Sequence, residues 1–354
     1  MSHTSSTATH RFRVGVSPDF FRDAKGKFER AIEQHLVPAE IDWEPMPDLP
    51  GDIATPEALN RYDAVFALAL RVTQESVVGV DRLALVARWG VGYDKIDVTA
   101  LTGAGIALAI TPDAVRTPVA EAILTLILAL AKNLLIQDRI TREGKWRGDL
   151  PRMGRNLRGS TIGSVGLGNI GSEMFRLARP FGFARMIAYD PYARPELAAD
   201  LRVELTDLDT VLRESDFVTI NCLLNDSTRG LIGERELKLM KPTSYLINTA
   251  RGPVIQEDAL IRALTERWIA GAGLDVYDQE PPPADHPLFR LENAIVTPHG
   301  LPWTEELARD NSAEACRNIL AVARGEAPGG LVNRQVASDP RFMAKLEAYK
   351  NRSN

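Results

Sequence analysis

Short apolar runs alternate with longer amphipathic stretches along nearly the whole chain. "RFRVGVS" (11–17), "DAVFALAL" (63–70), "LALVARWG" (83–90) and "IALAIT" (106–111) read as buried strands with helical or loop segments between them. That rhythm is the βαβ repeat of a parallel sheet covered on both faces. A second series begins at "STIGSVGLG" (160–168). It runs on through "RMIAYD" (185–190), "FVTINC" (217–222), "SYLINTA" (244–250), "AGAGLDV" (270–276) and "AIVTPH" (294–299). Six strands at this spacing describe a complete doubly wound sheet. A long helix near 117–135 and the Pro-containing "GKWRGDLPRMGRN" (144–156) separate the two series. A last helix near 304–324 follows the second series, where it can return the chain to the first domain and make that domain discontinuous.

Length agrees with this division, because 354 residues exceed one ordinary core. The most apolar run, "AEAILTLILALA" (120–131), is shorter than a bilayer requires and is flanked by Glu121 and Lys132, so it reads as a buried helix. The N-terminal "MSHTSSTATH" is polar, lacks the apolar core of a signal peptide and reads as a tail. A formal net charge of -5 argues against a general nucleic-acid binder. Two cysteines, Cys222 and Cys316, suffice neither for a disulfide framework nor for a multi-cysteine metal site. A reducing cytoplasm, with no metal and no membrane, is the expectation.

Chemistry enters at "GSVGLGNIGSEMFRLARPFG", which holds Gly166, Gly168 and Gly171 in G-x-G-x-x-G register. The motif follows a β-branched strand, opens an amphipathic helix, and is followed about twenty residues later by an acid, Asp190, at the end of the next strand. The three glycines serve different ends. Gly166 permits the tight turn, Gly168 lets backbone approach a pyrophosphate, and Gly171 lets helix and strand pack closely. The helix N-terminus presents backbone N–H groups to the anion, and those of Asn169 and Ile170 are expected to face the pyrophosphate. Asp190 is expected to accept hydrogen bonds from the adenosine ribose. Its charge repels a 2′-phosphate, which favours NAD over NADP, although Arg194 lies four residues on.

Several further segments, in order, resemble the D-isomer-specific 2-hydroxyacid dehydrogenase family: "RWGVGYDKIDV" (88–98), "TPDAVRTPVAEAILTLILALAKNL" (111–134), "INTARGPVIQEDAL" (247–260), "GLDVYDQEPPP" (273–283) and "IVTPHGLPWTEE" (295–306). The resemblance runs from about residue 50 to about residue 335 and implies a Rossmann NAD-binding domain (116–301) inserted in a discontinuous flavodoxin-like substrate domain (1–115 and 302–354). It assigns catalysis to Arg251, Glu280 and His299. A neutral imidazole suits removal of the hydroxyl proton of a 2-hydroxy acid, and its conjugate acid suits the reverse reduction. A carboxylate on the other ring nitrogen fixes the tautomer and stabilises the imidazolium. A guanidinium holds the substrate carboxylate and polarises the carbonyl.

The same resemblance implies that backbone N–H groups of Val91 and Gly92 bind the substrate carboxylate and that Asp275 holds the nicotinamide carboxamide. Thr249 and Ala250 are placed beside the nicotinamide, and Thr228 is placed on a cofactor-side loop where Asn221 and Leu223 replace the family's usual His and Pro. Cys222 reads as a small buried residue rather than a nucleophile. Arg142, Lys145, Arg147, Arg152, Arg155 and Arg158 read as a solvated face. In the family this arm packs across a homodimer formed through the NAD-binding domains, with Trp146 a candidate anchor.

Leu68 and Ala69 stand where phosphoglycerate dehydrogenases commonly carry Arg-Ser, which points to a substrate without phosphate. Trp303 is either a wall of the substrate pocket or packing for the following helix. Competing readings are a 3-phosphoglycerate dehydrogenase, a phosphite dehydrogenase and, outside enzymes, an NAD-sensing corepressor-like protein. Formate dehydrogenases pair the His with Gln rather than with a carboxylate such as Glu280.

Overall fold

The structure, a computed structural model, describes residues 11–351. The polar stretch "MSHTSSTATH" lies outside the described residues. The chain divides into two compact units: residues up to Val115 together with those from Thr304 onward, and Arg116–Trp303.

In the first unit the apolar runs become β1 (Arg13–Val16), β3 (Ala64–Ala67), β4 (Leu85–Arg88) and β5 (Ala107–Ala109). A fifth strand, β2 (Asp42–Pro45), forms the edge, and all five run parallel in the order β2-β1-β3-β4-β5. This is the flavodoxin-like order. Sequence pattern passes over β2 because "DWEP" is an exposed-to-half-buried edge strand closed by proline, with none of the apolar signal of a central strand. The returning segment is stitched to this sheet by polar contacts. The Trp89 indole donates to Ser312 Oγ at 2.8 Å, and Leu108 N donates to Asn333 Oδ1 at 2.9 Å. Thr304, whose hydroxyl accepts from Leu307 N at 3.0 Å, caps the helix Glu305–Ala323.

The second unit holds β6 (Thr161–Val165), β7 (Arg185–Tyr189), β8 (Glu204–Leu205), β9 (Phe217–Ile220), β10 (Tyr245–Asn248), β11 (Gly271–Leu274) and β12 (Ala294–Val296). They run parallel in the order β12-β11-β10-β9-β6-β7-β8. Seven strands stand where six were expected; β8 is two exposed residues, too short to leave a periodicity. Strand order reverses at β6, so the carboxyl ends of β6 and β9 open the crevice in which such sheets take ligands.

The apolar run 120–131 lies in the helix Pro112–Ala131, with Ala120, Ile123, Leu126, Ile127 and Leu130 buried in one cluster with Ile162, Phe175 and Ile247. By length and composition it is the one helix among the described residues that could cross a bilayer, yet its apolar face is core. Truncating one such Leu or Ile to Ala costs about 2–5 kcal/mol. The helix expected over 117–135 is in fact two, because Asn133 adopts φ 53 between Pro112–Ala131 and Leu134–Arg142. Its amide holds that conformation by donating to Arg152 O and accepting from Arg152 Nε, both at 3.2 Å.

Candidate active site

At the end of β6 the chain turns sharply through Gly166, whose φ of +106 favours glycine. A Cβ there would also stand 2.7 Å from the carbonyl carbon of Asn221, so the turn is pressed against the end of β9. A Cβ on Gly171 would meet Gly166 O at 2.6 Å, which fixes how closely the helix Asn169–Ala178 approaches the turn. Gly168 differs from both: nothing lies within 4 Å of its would-be Cβ, and it is exposed together with Asn169 at the helix start. Two of these glycines are demanded by packing, and the third leaves open space beside the start of the helix Asn169–Ala178. Asp190 closes the crevice, its Oδ2 accepting from Leu167 N and its Oδ1 from Tyr192 N, both at 2.8 Å. The carboxylate is thereby fixed with acceptor capacity to spare. Arg194 is exposed.

The ends of β10, β11 and β12 carry the polar trio. After β10, Asn248 organises the turn, accepting from Ala250 N at 3.0 Å and donating to Arg251 O at 2.9 Å. Arg251 follows, half-buried, with Nη1 donating to Ala250 O at 2.6 Å. The next residue must be glycine, since a Cβ on Gly252 would lie 2.0 Å from the backbone of Tyr277. That close approach brings the Arg251 turn against the loop after β11, which carries Glu280. Glu280 Oε1 accepts from Tyr277 N at 3.2 Å, and Oε2 lies 2.8 Å from His299 Nδ1. Burial pushes the Glu280 carboxyl up. The His299 hydrogen bond and charge, the Tyr277 N–H and the Arg251 charge outweigh that and hold it below the usual carboxylate range. An ionised Glu280 only accepts, so Nδ1 carries the proton in the pair, and in the neutral ring Nε2 is the basic nitrogen. The His299 side chain is 41% exposed, which leaves that nitrogen reachable.

His299 itself sits at φ 51, uncommon for a residue with a side chain. Asp275 Oδ1 over-determines the turn, accepting from Thr297 Oγ1 at 2.5 Å, Gly300 N at 3.1 Å and Leu301 N at 3.2 Å. Tyr277 adds a hydrogen bond from its hydroxyl to Thr297 O at 2.9 Å. The anchoring roles of Asn248, Tyr277 and Thr297, and this second role of Asp275, left no periodicity or spacing to be read in advance. They depend on which strand ends lie side by side.

Two buried oxygens bear on a cofactor. Asp275 Oδ2 and Thr249 Oγ1 are buried without a hydrogen-bond partner among the described residues, a costly state unless a ligand supplies one. Together with the open approach at Gly168, they fit a nicotinamide dinucleotide, Asp275 Oδ2 being a suitable acceptor for a carboxamide N–H. Ala250 is half-buried beside them in the same turn. Thr228 is placed differently. Its hydroxyl donates to Leu223 O at 2.6 Å and accepts from Asn225 N at 2.9 Å, so it builds its own loop.

Burial raises the Cys222 thiol to about 11, which keeps it protonated and non-nucleophilic. Of the basic stretch, Arg142 pairs with Asp138, Lys145 with Glu143 and Arg155 with Asp216, at 2.8, 2.8 and 3.1 Å. Trp303 is half-buried and closes the turn by donating its N–H to Gly300 O at 2.9 Å. Val91 and Gly92 lie in the first unit, in the loop after β4, where Arg88 Nε donates to Gly92 O at 2.8 Å.

Comparison with known proteins gives a consistent result. Residues 124–300 match the family model for the NAD-binding domain of D-isomer-specific 2-hydroxyacid dehydrogenases. A glyoxylate reductase of Thermococcus gammatolerans is 40% identical over 316 residues, 87% of this chain and 94% of that protein. One of Korarchaeum cryptofilum is 38% identical over 309 residues, 86% of this chain and 92% of that protein. Among solved structures, a glyoxylate reductase from Paecilomyes thermophila superposes with a TM-score of 0.77 at 28% identity, covering 92% of this chain and 100% of that one.

Proposed function

The chain belongs to the D-isomer-specific 2-hydroxyacid dehydrogenase family, and we propose that within it the protein reduces a small unphosphorylated 2-keto acid with NADH. Glyoxylate is the first candidate, given the relatives at about 40% identity. The observation that carries the acid/base assignment is the His299 Nδ1–Glu280 Oε2 contact of 2.8 Å, with Arg251 close enough for its charge to help hold Glu280 ionised.

The nicotinamide, when bound, supplies or takes up the hydride at substrate C2. The remaining steps belong to the chain. Arg251 binds the substrate carboxylate and polarises the carbonyl oxygen, which lowers the cost of charge developing there. The His299 imidazolium gives its Nε2 proton to that oxygen in reduction, and the neutral ring takes it back in oxidation. Glu280 holds the ring by Nδ1 and offsets the imidazolium charge. Asp275 and Thr249 orient the cofactor head group, the turn at Gly166, Gly168, Asn169, Ile170 and Gly171 takes the pyrophosphate, and Asp190 takes the ribose.

The absence of phosphate from the substrate rests on the Leu68–Ala69 turn. Leu68 N donates to Ser17 Oγ at 3.2 Å and Ala69 N donates to Asp19 Oδ2, so the turn is held by a hydroxyl and a carboxyl and itself carries no cation. A panel of 2-keto acids assayed with NADH and NADPH tests this. Turnover confined to 3-phosphohydroxypyruvate would overturn it. A homodimer is part of the same reading, because Leu134, Leu135, Trp146 and Met153 are exposed on one arm of the cofactor-binding unit, and a reducing cytoplasm suits the free thiols of Cys222 and Cys316. A monomer by light scattering at micromolar concentration would refute the dimer.

A further inference from the structure

Glu280 stands in the loop that follows β11, a stretch with three consecutive prolines, Pro281–Pro283, and no regular structure until the short helical turn Pro287–Arg290. A catalytic constellation must be held to a fraction of an ångström, so a carboxylate on such a loop needs support at both flanks. One residue outside the trio supplies both. Glu257 Oε2 accepts from Asp278 N at 3.2 Å, on the near flank. Glu257 Oε1 lies 2.9 Å from His286 Nε2, on the far flank.

The tautomer of His286 follows from its other nitrogen. Nδ1 accepts from Leu288 N at 3.3 Å and therefore carries no proton, so Nε2–H donates to Glu257. The imidazole is almost wholly buried, with the Phe289 and Tyr277 rings at centroid distances of 5.5 and 6.2 Å. Glu257 is also the first residue of the helix Glu257–Thr265, shortly after the Arg251 turn whose Gly252 abuts Tyr277. A single carboxylate thus ties the segment bearing Arg251 to both ends of the segment bearing Glu280.

We propose that Glu257 and His286 form a second carboxylate–imidazole pair that holds Glu280 in register with His299, as positioning residues that touch neither substrate nor cofactor. The proposal rests on the acid/base reading of Glu280 and His299. Loss of the Glu257 charge frees the flanks of the loop, and Glu280 then spends less time against Nδ1. Its effect on the reaction must therefore pass through Glu280.

The test is a double-mutant cycle on the full-length enzyme, with kcat, KM and the pH profile measured for glyoxylate reduction and NADH affinity measured by fluorescence titration. E257Q keeps the shape but removes the charge, and is expected to lower kcat about three- to fivefold, less than E280Q does, with NADH affinity held, and to move the pH inflection toward that of E280Q. In the E280Q background the same change is expected to alter kcat by less than about twofold. H286Q, which retains an N–H for Glu257, should stay near wild type, whereas H286L should behave as E257Q does and stands in for it if E257Q does not fold. An equal loss in both backgrounds, or an unmoved inflection with wild-type kcat, overturns the proposal. If E280Q alone leaves kcat and the profile unchanged, the acid/base reading itself fails, a result distinct from either.

Discussion

Replacing Glu280 by Gln removes a charge while leaving an acceptor of the same shape against His299 Nδ1. The contact is 2.8 Å, with side chains 41% and 28% exposed. Charge centres roughly 4 Å apart attract by about 4 kcal/mol at an effective dielectric of about 20. Solvent reaches both groups, so about half or more of that is screened, leaving about 1–2 kcal/mol. Glu280 is held below its usual range by His299 and Arg251 although burial pushes it up, so it is ionised throughout an assay above pH 5.

The sign follows from the chemistry. Reduction consumes the imidazolium, and without the carboxylate that form is less stable. The fall in kcat/KM with rising pH should therefore set in earlier in E280Q, with the descending limb displaced to lower pH. At pH 7.5 E280Q should reduce glyoxylate about tenfold more slowly than wild type, and the deficit should shrink toward pH 5. NADH affinity should be unaltered. A loss of the same size at every pH, or a limb that stays in place, would show that Glu280 acts through folding or packing and would refute the reasoning.

Gly171 and Gly168 of the dinucleotide turn should separate by mechanism. G171A forces a Cβ to 2.6 Å from Gly166 O and should lower Tm, whereas G168A meets nothing within 4 Å and should melt as wild type while binding NADH at least about tenfold more weakly. D190A should raise the NADPH-to-NADH ratio of kcat/KM by removing the charge opposed to a 2′-phosphate; an unchanged ratio would take Asp190 out of cofactor choice. Asp216, pushed up by burial but held low overall by Thr161 N–H, Arg155 and Lys241, gives a pH signature in stability. A carboxyl with a depressed folded pKa stabilises above its unfolded value near 3.9 and loses that contribution as pH falls through the folded value. D216N should therefore melt below wild type at pH 7, with the gap closing below about pH 4; a gap independent of pH would sink this assignment.

Most of what the sequence determined by itself concerned periodicity and local chemistry. Central strands such as β6 and β9 are buried on both faces and leave continuous apolar runs, so both sheets were legible, while the edge strands β2 and β8, exposed and polar, were not. The glycine register, Asp190 and the order of Arg251, Glu280 and His299 stand out in the chain for a related reason: those residue types suit the cofactor and the reaction proposed for them. Tertiary structure decided what those residues lean on. The Glu280–His299 contact spans 19 positions, Glu257 reaches 29 positions to His286, and Asp275 reaches 25 to Gly300. Parallel strands bring such distant segments together at one sheet edge, because the crossover helices between them set spatial neighbours without regard to sequence distance. Which acceptor meets which donor there depends on backbone approaches of a few ångströms, such as that of Gly252 to Tyr277, and no pattern in the chain records them.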